Sequence, residues 1–154
     1  MADPLSITAS ILGVADAGTR LATTLYSYAE TAFRADKTLK SIAQDVSLTS
    51  AVINELGTVL KHEDGPTVCS ENAVQTAEQT IDSCKNVFDE INGALRQSLK
   101  AKDPSKPRVS ALGRLIWPLK EQRMELIRNN LEKLKSTLML MLQVLQYARS
   151  LVKE

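Results

Sequence analysis

Four long segments of this chain repeat apolar residues at steps that alternate between three and four positions. The first segment runs from Ile7 to Tyr28 and the last from Met124 to Val152. This spacing places an apolar stripe along one side of an α-helix, whereas a half-buried strand alternates with a period of two. Such stripes are typical of helices packed about 20° from parallel. The pattern therefore predicts an all-α protein.

The residues between the stripes indicate where the helices begin and end. Asp3 and Pro4 suit the cap and the first position of a helix, and the Gly-Pro pair at 65–66 is a stop signal. The segment 101–107 (AKDPSKP) reads as a loop. We predict an antiparallel four-helix bundle that forms a single domain, 1–154, with helices at 4–33, 36–62, 70–100 and 118–153 and a short helical insert at 108–117.

A single aliphatic core is expected where the stripes converge, because aromatic residues make up only 4% of the chain. A chain of 154 residues is long enough to bury such a core. Trp117 is predicted to anchor the insert against the bundle, and Pro118 to begin the last helix. The side chains predicted to be buried are Ile11, Leu21, Ile42, Ile53, Phe88, Ile127, Leu134 and Leu138.

The net charge of +1 hides an asymmetry along the chain. Residues 1–95 carry 6 basic and 13 acidic side chains, whereas residues 96–135 carry 11 basic and 4 acidic ones. The simpler interpretation is that the two parts attract each other within one bundle. The alternative is a basic band that binds anionic lipid or nucleic acid. We expect no nucleic-acid partner.

Residues suited to catalysis or metal binding are scarce. His62 is the only histidine, and Cys69 and Cys84 are too few and too far apart to form a metal site with it. The run Gly13–Arg20 has two glycines but lacks the Gly-Lys-Ser/Thr ending of a phosphate-binding loop. We therefore expect a non-enzyme with no catalytic residue, cofactor or metal. Two cysteines fit a reducing, cytosolic setting.

The N-terminal segment Pro4–Ala29 carries only two charged residues, Asp16 and Arg20, which stand four apart and lie on one side of a helix. About 20 apolar residues span a bilayer, and this segment is long enough. Its many serines and threonines argue against insertion. Small residues at four-residue spacing also permit close helix packing, either in a membrane or inside a tight soluble bundle. Both interpretations remain open from the residues alone.

The last predicted helix is apolar on nearly every side across residues 138–145 (LMLMLQVL). A helix of this kind is either buried centrally or available for a partner. We expect central burial within the bundle.

Two tracts of the chain resemble the fungal N-terminal domain of STAND proteins, a HeLo-like group. Met1–Ile7 (MADPLSI) with Ala9–Ile11 is similar to the start of that domain, and 114–121 (RLIWPLKE) with 131–138 (LEKLKSTL) is similar to its closing signature. The resemblance covers essentially the whole chain. It implies a helical bundle at the front of intracellular immune-type receptors with a nucleotide-binding oligomerisation domain and repeats. Since neither segment follows here, we expect an isolated effector domain or a truncated receptor.

Related bundles, the HeLo and mixed-lineage-kinase-like domains, kill cells by attacking membranes. The resemblance therefore implies a cell-death-inducing effector that oligomerises and inserts its first helix into the membrane. In this hypothesis Asp16 faces the oligomer interior. The residues expected to insert are Leu5, Ile7, Ile11, Leu12, Val14 and Asp16. The basic residues expected to face anionic lipid are Lys120, Arg123 and Arg128.

The alternative is an adaptor that docks on helical partners and never touches lipid. Self-association is expected in the membrane hypothesis, and helical protein partners in the adaptor hypothesis. The expected location is the cytoplasm, with recruitment to the plasma membrane on activation.

Overall fold

The computed structural model describes the backbone of residues 4–31, 36–61, 71–100 and 121–153, and the side chains of 6–30, 37–61, 72–97 and 121–151. Four helices account for all of these residues: α1 (Pro4–Thr31), α2 (Asp36–Lys61), α3 (Glu71–Lys100) and α4 (Glu121–Lys153). The predicted four-helix bundle is confirmed, and the four described helices lie inside the predicted ranges. The predicted insert at 108–117, with Trp117 and Pro118, lies outside the described residues.

Local sequence explains several helix ends. α1 begins at Pro4, whose fixed φ angle suits the first helical position and whose missing N–H needs no partner there. Lys61 lies in the last turn of α2 and Glu121 in the first turn of α4. Both charges oppose the helix macrodipole at their own end, which stabilises the terminal turns.

α1 and α2 pack against each other along their length in opposite directions. A Cβ atom on Gly57, near the end of α2, would lie 2.8 Å from Cδ2 of Leu12, near the start of α1. Farther along α1, Gly18 faces Ser50 of α2. Since the residue number rises on one helix as it falls on the other, the pair is antiparallel.

α4 runs parallel to α2. Arg128 of α4 lies 3.7 Å from the carboxylate of Asp45. Leu145, seventeen residues further on in α4, and Leu60, fifteen residues further on in α2, line the same groove. The numbers rise together on both helices, so the two helices point the same way.

α3 runs antiparallel to α4 and completes the bundle. Glu90 of α3 pairs with Arg123 of α4, while Val74, near the start of α3, shares a groove with Leu145. The four main helix contacts join α1 to α2, α2 to α4, α4 to α3, and α3 to α1. The helices therefore follow one another around the core in the order α1, α2, α4, α3.

One hydrophobic core fills the space between the helices. Seven of the eight side chains predicted to be buried are buried. Leu134 is half-buried and packs against this core from its edge. Burying an aliphatic side chain contributes about 1.5–3 kcal/mol relative to leaving it in water. Residues of this core with no exposed surface include Leu25, Leu39, Ile42, Ile53, Leu56, Ile91, Leu131 and Leu138.

The expected central burial of residues 138–145 is wrong beyond Leu138, the last buried residue among the described side chains of α4. Met141, Leu142 and Leu145 are half-buried, and the other residues from 139 to 144 are exposed. A helix at the corner of a four-helix bundle buries one side only, so an all-round apolar segment leaves its other side in water. α4 is also longer than its neighbours. From the contacts above and an equal rise per residue, Lys61 of α2 and Glu71 of α3 lie level with about residues 142–148 of α4, and α4 continues to Lys153.

Candidate interaction surface

Four exposed apolar side chains form a line on the side of α4 that faces away from the core. Leu140, Val144, Tyr147 and Leu151 are 62%, 59%, 67% and 53% exposed. Their spacing of four, three and four residues keeps them on one side of the helix over about 16 Å. We call this line the outer seam.

The same side of α4 is polar before the outer seam begins. Asn130, Lys133 and Thr137 are exposed there, and the Thr137 hydroxyl donates a hydrogen bond of 2.9 Å to the Lys133 carbonyl. The sequence holds no charged residue between Lys135 and Arg149. The outer seam is therefore an uncharged apolar surface that follows a polar stretch, from Asn130 to Thr137, of the same helix side; the exposed Leu126 lies on this side before that stretch.

An apolar groove of about 320 Å³ lies beside the outer seam, where α4 meets the end of α2 and the start of α3. Leu140 and Val144 belong both to the seam and to the groove wall, so the two features form one continuous apolar surface. The remaining lining residues are Leu60, Asn72, Ala73, Val74, Thr76, Ala77, Met141 and Leu145.

Two of the basic residues predicted to face lipid form ion pairs across the bundle. Arg123 pairs with Glu90 of α3, and Arg128 lies 3.7 Å from Asp45 of α2. About half of each arginine side chain remains exposed. The side chain of Lys120 lies outside the described residues. Charges of the basic and acidic parts of the chain thus meet within the bundle, at these two places, as the simpler interpretation of the asymmetry predicts.

Burial raises the pKa of the Asp45 carboxyl above its ordinary value of 3.8, although Arg128 and Lys135 act in the opposite direction. The long separation from Arg128 explains why the loss of hydration outweighs the attraction. Thr49 takes no part in this pair, because its hydroxyl donates to the backbone carbonyl of Asp45 at 2.7 Å.

The residues predicted to insert into a membrane do not share one surface. Ile7, Ile11 and Val14 lie in the hydrophobic core, and Leu12 is half-buried. Asp16 is exposed on the other side of α1, where it pairs with Arg20. The side chain of Leu5 lies outside the described residues. Lipid contact by this apolar set would require α1 to leave the bundle.

α1 satisfies several of its own hydroxyl groups. Thr19, Thr23 and Thr24 donate hydrogen bonds of 3.0, 3.1 and 2.9 Å to the backbone carbonyls four residues earlier. These bonds would persist in a medium of low polarity. Even so, none of the helices, over the part of the chain that the structure describes, is long and apolar enough to cross a membrane.

Cys84 is fully buried, and loss of hydration raises the pKa of its thiol to about 12. A thiol that stays protonated is a poor nucleophile and a poor metal ligand. Among the described side chains, no three His, Cys, Asp or Glu residues gather where they could hold a metal ion. His62 and Cys69 lie outside the described residues.

The outer seam was not predicted from the sequence, although the sequence contains a signal for it. Besides the core stripe that includes Leu131 and Leu138, α4 has a second four-three-four series that begins at Leu140 and ends at Leu151. Two stripes on different sides of one helix are typical of a helix with two apolar contacts.

In comparisons with known proteins, no family model, curated protein or solved structure matches this chain.

Proposed function

We propose that this chain is a non-enzymatic interaction domain that binds a helix of a polypeptide on the outer seam of α4. The observation that carries the proposal is the continuous exposed apolar surface formed by the seam and the adjoining groove. Contiguous apolar surface next to polar surface is typical of protein interaction sites. This proposal corresponds to the adaptor alternative drawn from the sequence.

A helix is the partner structure that fits this surface. The outer seam repeats apolar residues in the spacing of a coiled-coil contact, in which side chains of one helix fill the spaces between those of the other. The absence of charge from 136 to 148 favours an apolar helix side over a charged peptide. Helix-in-groove binding uses anchors at similar spacing.

Site-specific photo-crosslinking in living cells tests the proposal. Benzoylphenylalanine at position 144, in the outer seam, is expected to crosslink to polypeptide. The matched control is position 23 in α1, which is exposed on another side of the bundle and is expected to crosslink little. Crosslinks to lipid alone at position 144, or equal polypeptide yields at both positions, would contradict the proposal.

A second candidate is the membrane effector that the HeLo-like resemblance implies, with α1 as the inserting element. The specific observation in its favour is the low charge of α1: between Ser6 and Ala29 it carries only Asp16 and Arg20, which neutralise each other as an ion pair. In this candidate, assembly at the membrane releases α1 from the core, and the half-exposed Arg123 and Arg128 add weak attraction to anionic lipid.

A reversible covalent lock distinguishes this candidate from the first. Leu12 and Gly57 lie close enough for their cysteine variants to form a disulfide that ties α1 to α2. Leu12→Cys with Gly57→Cys, in a Cys69→Ser background, is expected to permeabilise liposomes of phosphatidylcholine and phosphatidylserine only after reduction. The unlocked parent protein is the control. Equal leakage before and after reduction, or none from the parent at any concentration, would exclude α1 release.

A further inference from the structure

We infer that the occupant of the outer seam is a second copy of this chain, whose α4 lies antiparallel to the first. The inference rests on the proposed function, because it names the partner of the same surface. In this register Leu140 packs against Leu151 of the second copy, and Val144 packs against its Tyr147. The pairing is isologous, since each contact occurs twice around a two-fold axis level with residues 145 and 146.

The spacing of the outer seam is self-complementary in this orientation. Read from either end, the series Leu140, Val144, Tyr147 and Leu151 has the same steps of four, three and four residues. An antiparallel copy therefore places an apolar side chain opposite every apolar side chain of the seam, with none left over. Each side chain meets one of a different position, as in antiparallel coiled coils.

Charge favours the antiparallel register over a parallel one. Lys133 is exposed and lies on the same side of α4, seven residues (one heptad) before Leu140. A parallel pair that continues along this side places Lys133 against Lys133 of the second copy, and like charges repel. In the antiparallel register the two lysines lie at opposite ends of the pair. The residues from 136 to 148 carry no charge, so no charge within this range repels the same surface of the second copy.

The exposed area is sufficient for a weak but specific dimer. From their exposed fractions, the four seam side chains leave roughly 500 Å² of surface open on each copy, so pairing buries at most about 1,000 Å² of their surface, to which the flanking residues add. That area is at the lower limit for a specific interface. The expected dimer is therefore reversible and depends on concentration.

Sedimentation of the purified full chain tests self-association. The parent protein is expected to change from monomer to dimer as its concentration rises through the micromolar range. Val144→Lys and Tyr147→Lys are each expected to weaken dimerisation at least tenfold, because they place two cations in an apolar contact. Leu126→Lys is the matched control: Leu126 is an exposed apolar residue of α4 outside the seam, and its variant is expected to dimerise like the parent.

Disulfide trapping tests the orientation. In a Cys69→Ser background, one chain carries Val144→Cys and another carries Tyr147→Cys. The antiparallel register predicts that a mixture crosslinks at least several-fold faster than either chain alone, because position 144 faces position 147. Faster crosslinking within each separate variant indicates a parallel pair and overturns the register.

Failure of this inference is distinguishable from failure of the proposed function. A parent protein that stays monomeric up to hundreds of micromolar, or a dimer that Val144→Lys and Tyr147→Lys leave intact, overturns the inference. The proposed function then depends only on whether position 144 crosslinks to a different polypeptide. Circular dichroism of both lysine variants shows whether they keep the helical fold, which is expected because the replaced side chains are exposed.

Discussion

Gly18 of α1 lies so close to Phe88 of α3 that a methyl group on Gly18 would stand 2.7 Å from Cε2 of the ring. Such a methyl group would also overlap Oγ of Ser50 on α2. Three helices thus approach each other at one glycine in the middle of α1. Gly18 therefore permits the close packing of these helices. Gly13 does not have this role, because a methyl group there would meet nothing within 4 Å.

Gly18→Ala is expected to destabilise the protein by about 1–3 kcal/mol, because the added methyl group overpacks a well-filled contact. Gly93→Ala is the matched control, since it adds the same group on α3 where nothing lies within 4 Å. That variant is expected to stabilise the fold by about 0.5–1 kcal/mol through better helix propensity. Urea unfolding of both variants at one protein concentration gives the comparison.

Ser50→Ala separates the two contacts of Gly18. The Ser50 hydroxyl oxygen is buried and, among the described residues, has no hydrogen-bond partner, so its removal alone is expected to be neutral or stabilising. In the double variant, the loss of this hydroxyl relieves one of the two overlaps, and part of the stability lost through Gly18→Ala is recovered. Strict additivity of the two changes would show that Phe88 alone limits this position.

The two sides of α4 predict different responses to the same truncation. Leu131 has no exposed surface, whereas Leu126, five residues earlier, is 46% exposed. Leu131→Ala is expected to lower the free energy of unfolding by about 2–5 kcal/mol, because it leaves a cavity in the core. Leu126→Ala is expected to change it by no more than about 0.5 kcal/mol. Similar losses for the two variants would mean that α4 is rotated relative to the described bundle.

The core was predictable from the sequence because the spacing of residues such as Ile127 and Leu131 specifies which side of a helix is buried. The second stripe that forms the outer seam is visible in the sequence, but its exposure is not, because Leu138 and Leu140 are equally apolar. Which of the two faces water depends on the corner position of α4 and on where α2 and α3 end. Sequence spacing within one helix contains neither quantity.

The ion pairs between helices were also only partly predictable from the sequence. The opposite net charges of the two parts of the chain predicted attraction between them. That Arg123 meets Glu90 while Arg128 meets Asp45 follows only from the relative register of three helices. The resemblance to the HeLo-like group implies that α1 is the functional element, whereas the exposed apolar surface lies on α4.

Asp45 is expected to make stability depend on pH. Its pKa is raised in the folded protein, so its contribution to stability is fully present below 3.8 and is lost as the pH rises through the raised folded value. Asp45→Asn is therefore expected to raise the melting temperature at pH 7 and to leave it unchanged near pH 3. Equal or lower melting temperatures for this variant at pH 7 would show that the attraction of Arg128 outweighs the loss of hydration.

Arg128→Gln is the companion variant for Asp45. Removing the cation leaves a half-buried carboxylate with less compensation, so a lower melting temperature is expected at pH 7. Adding Asp45→Asn is expected to restore most of the loss, because no charge then remains to be compensated. Lys135 and Glu132 also act on Asp45, and they are unchanged in every variant of this series.

Cys84 is expected to report the opening of the bundle. Because its thiol is fully buried and its pKa is raised to about 12, iodoacetamide at pH 8 should modify it only when the core opens. In a Cys69→Ser background, the rate of modification should rise in parallel with unfolding by urea. Rapid modification of the native protein would contradict the described packing of α3.

The raised pKa of the Cys84 thiol predicts a loss of stability at high pH. In the unfolded chain Cys84 ionises near its ordinary pKa of 9.0, whereas in the folded protein it resists ionisation until about 12. The unfolded state therefore releases a proton that the folded state retains, and stability falls between those two values. Cys84→Ala removes this contribution while keeping a small apolar side chain in the core. The melting temperatures of the two proteins are compared at pH 8 and pH 10.5. Lysine and tyrosine ionisation affects both proteins alike, so the difference between them reports the thiol. The melting temperature of the parent is expected to fall more than that of Cys84→Ala.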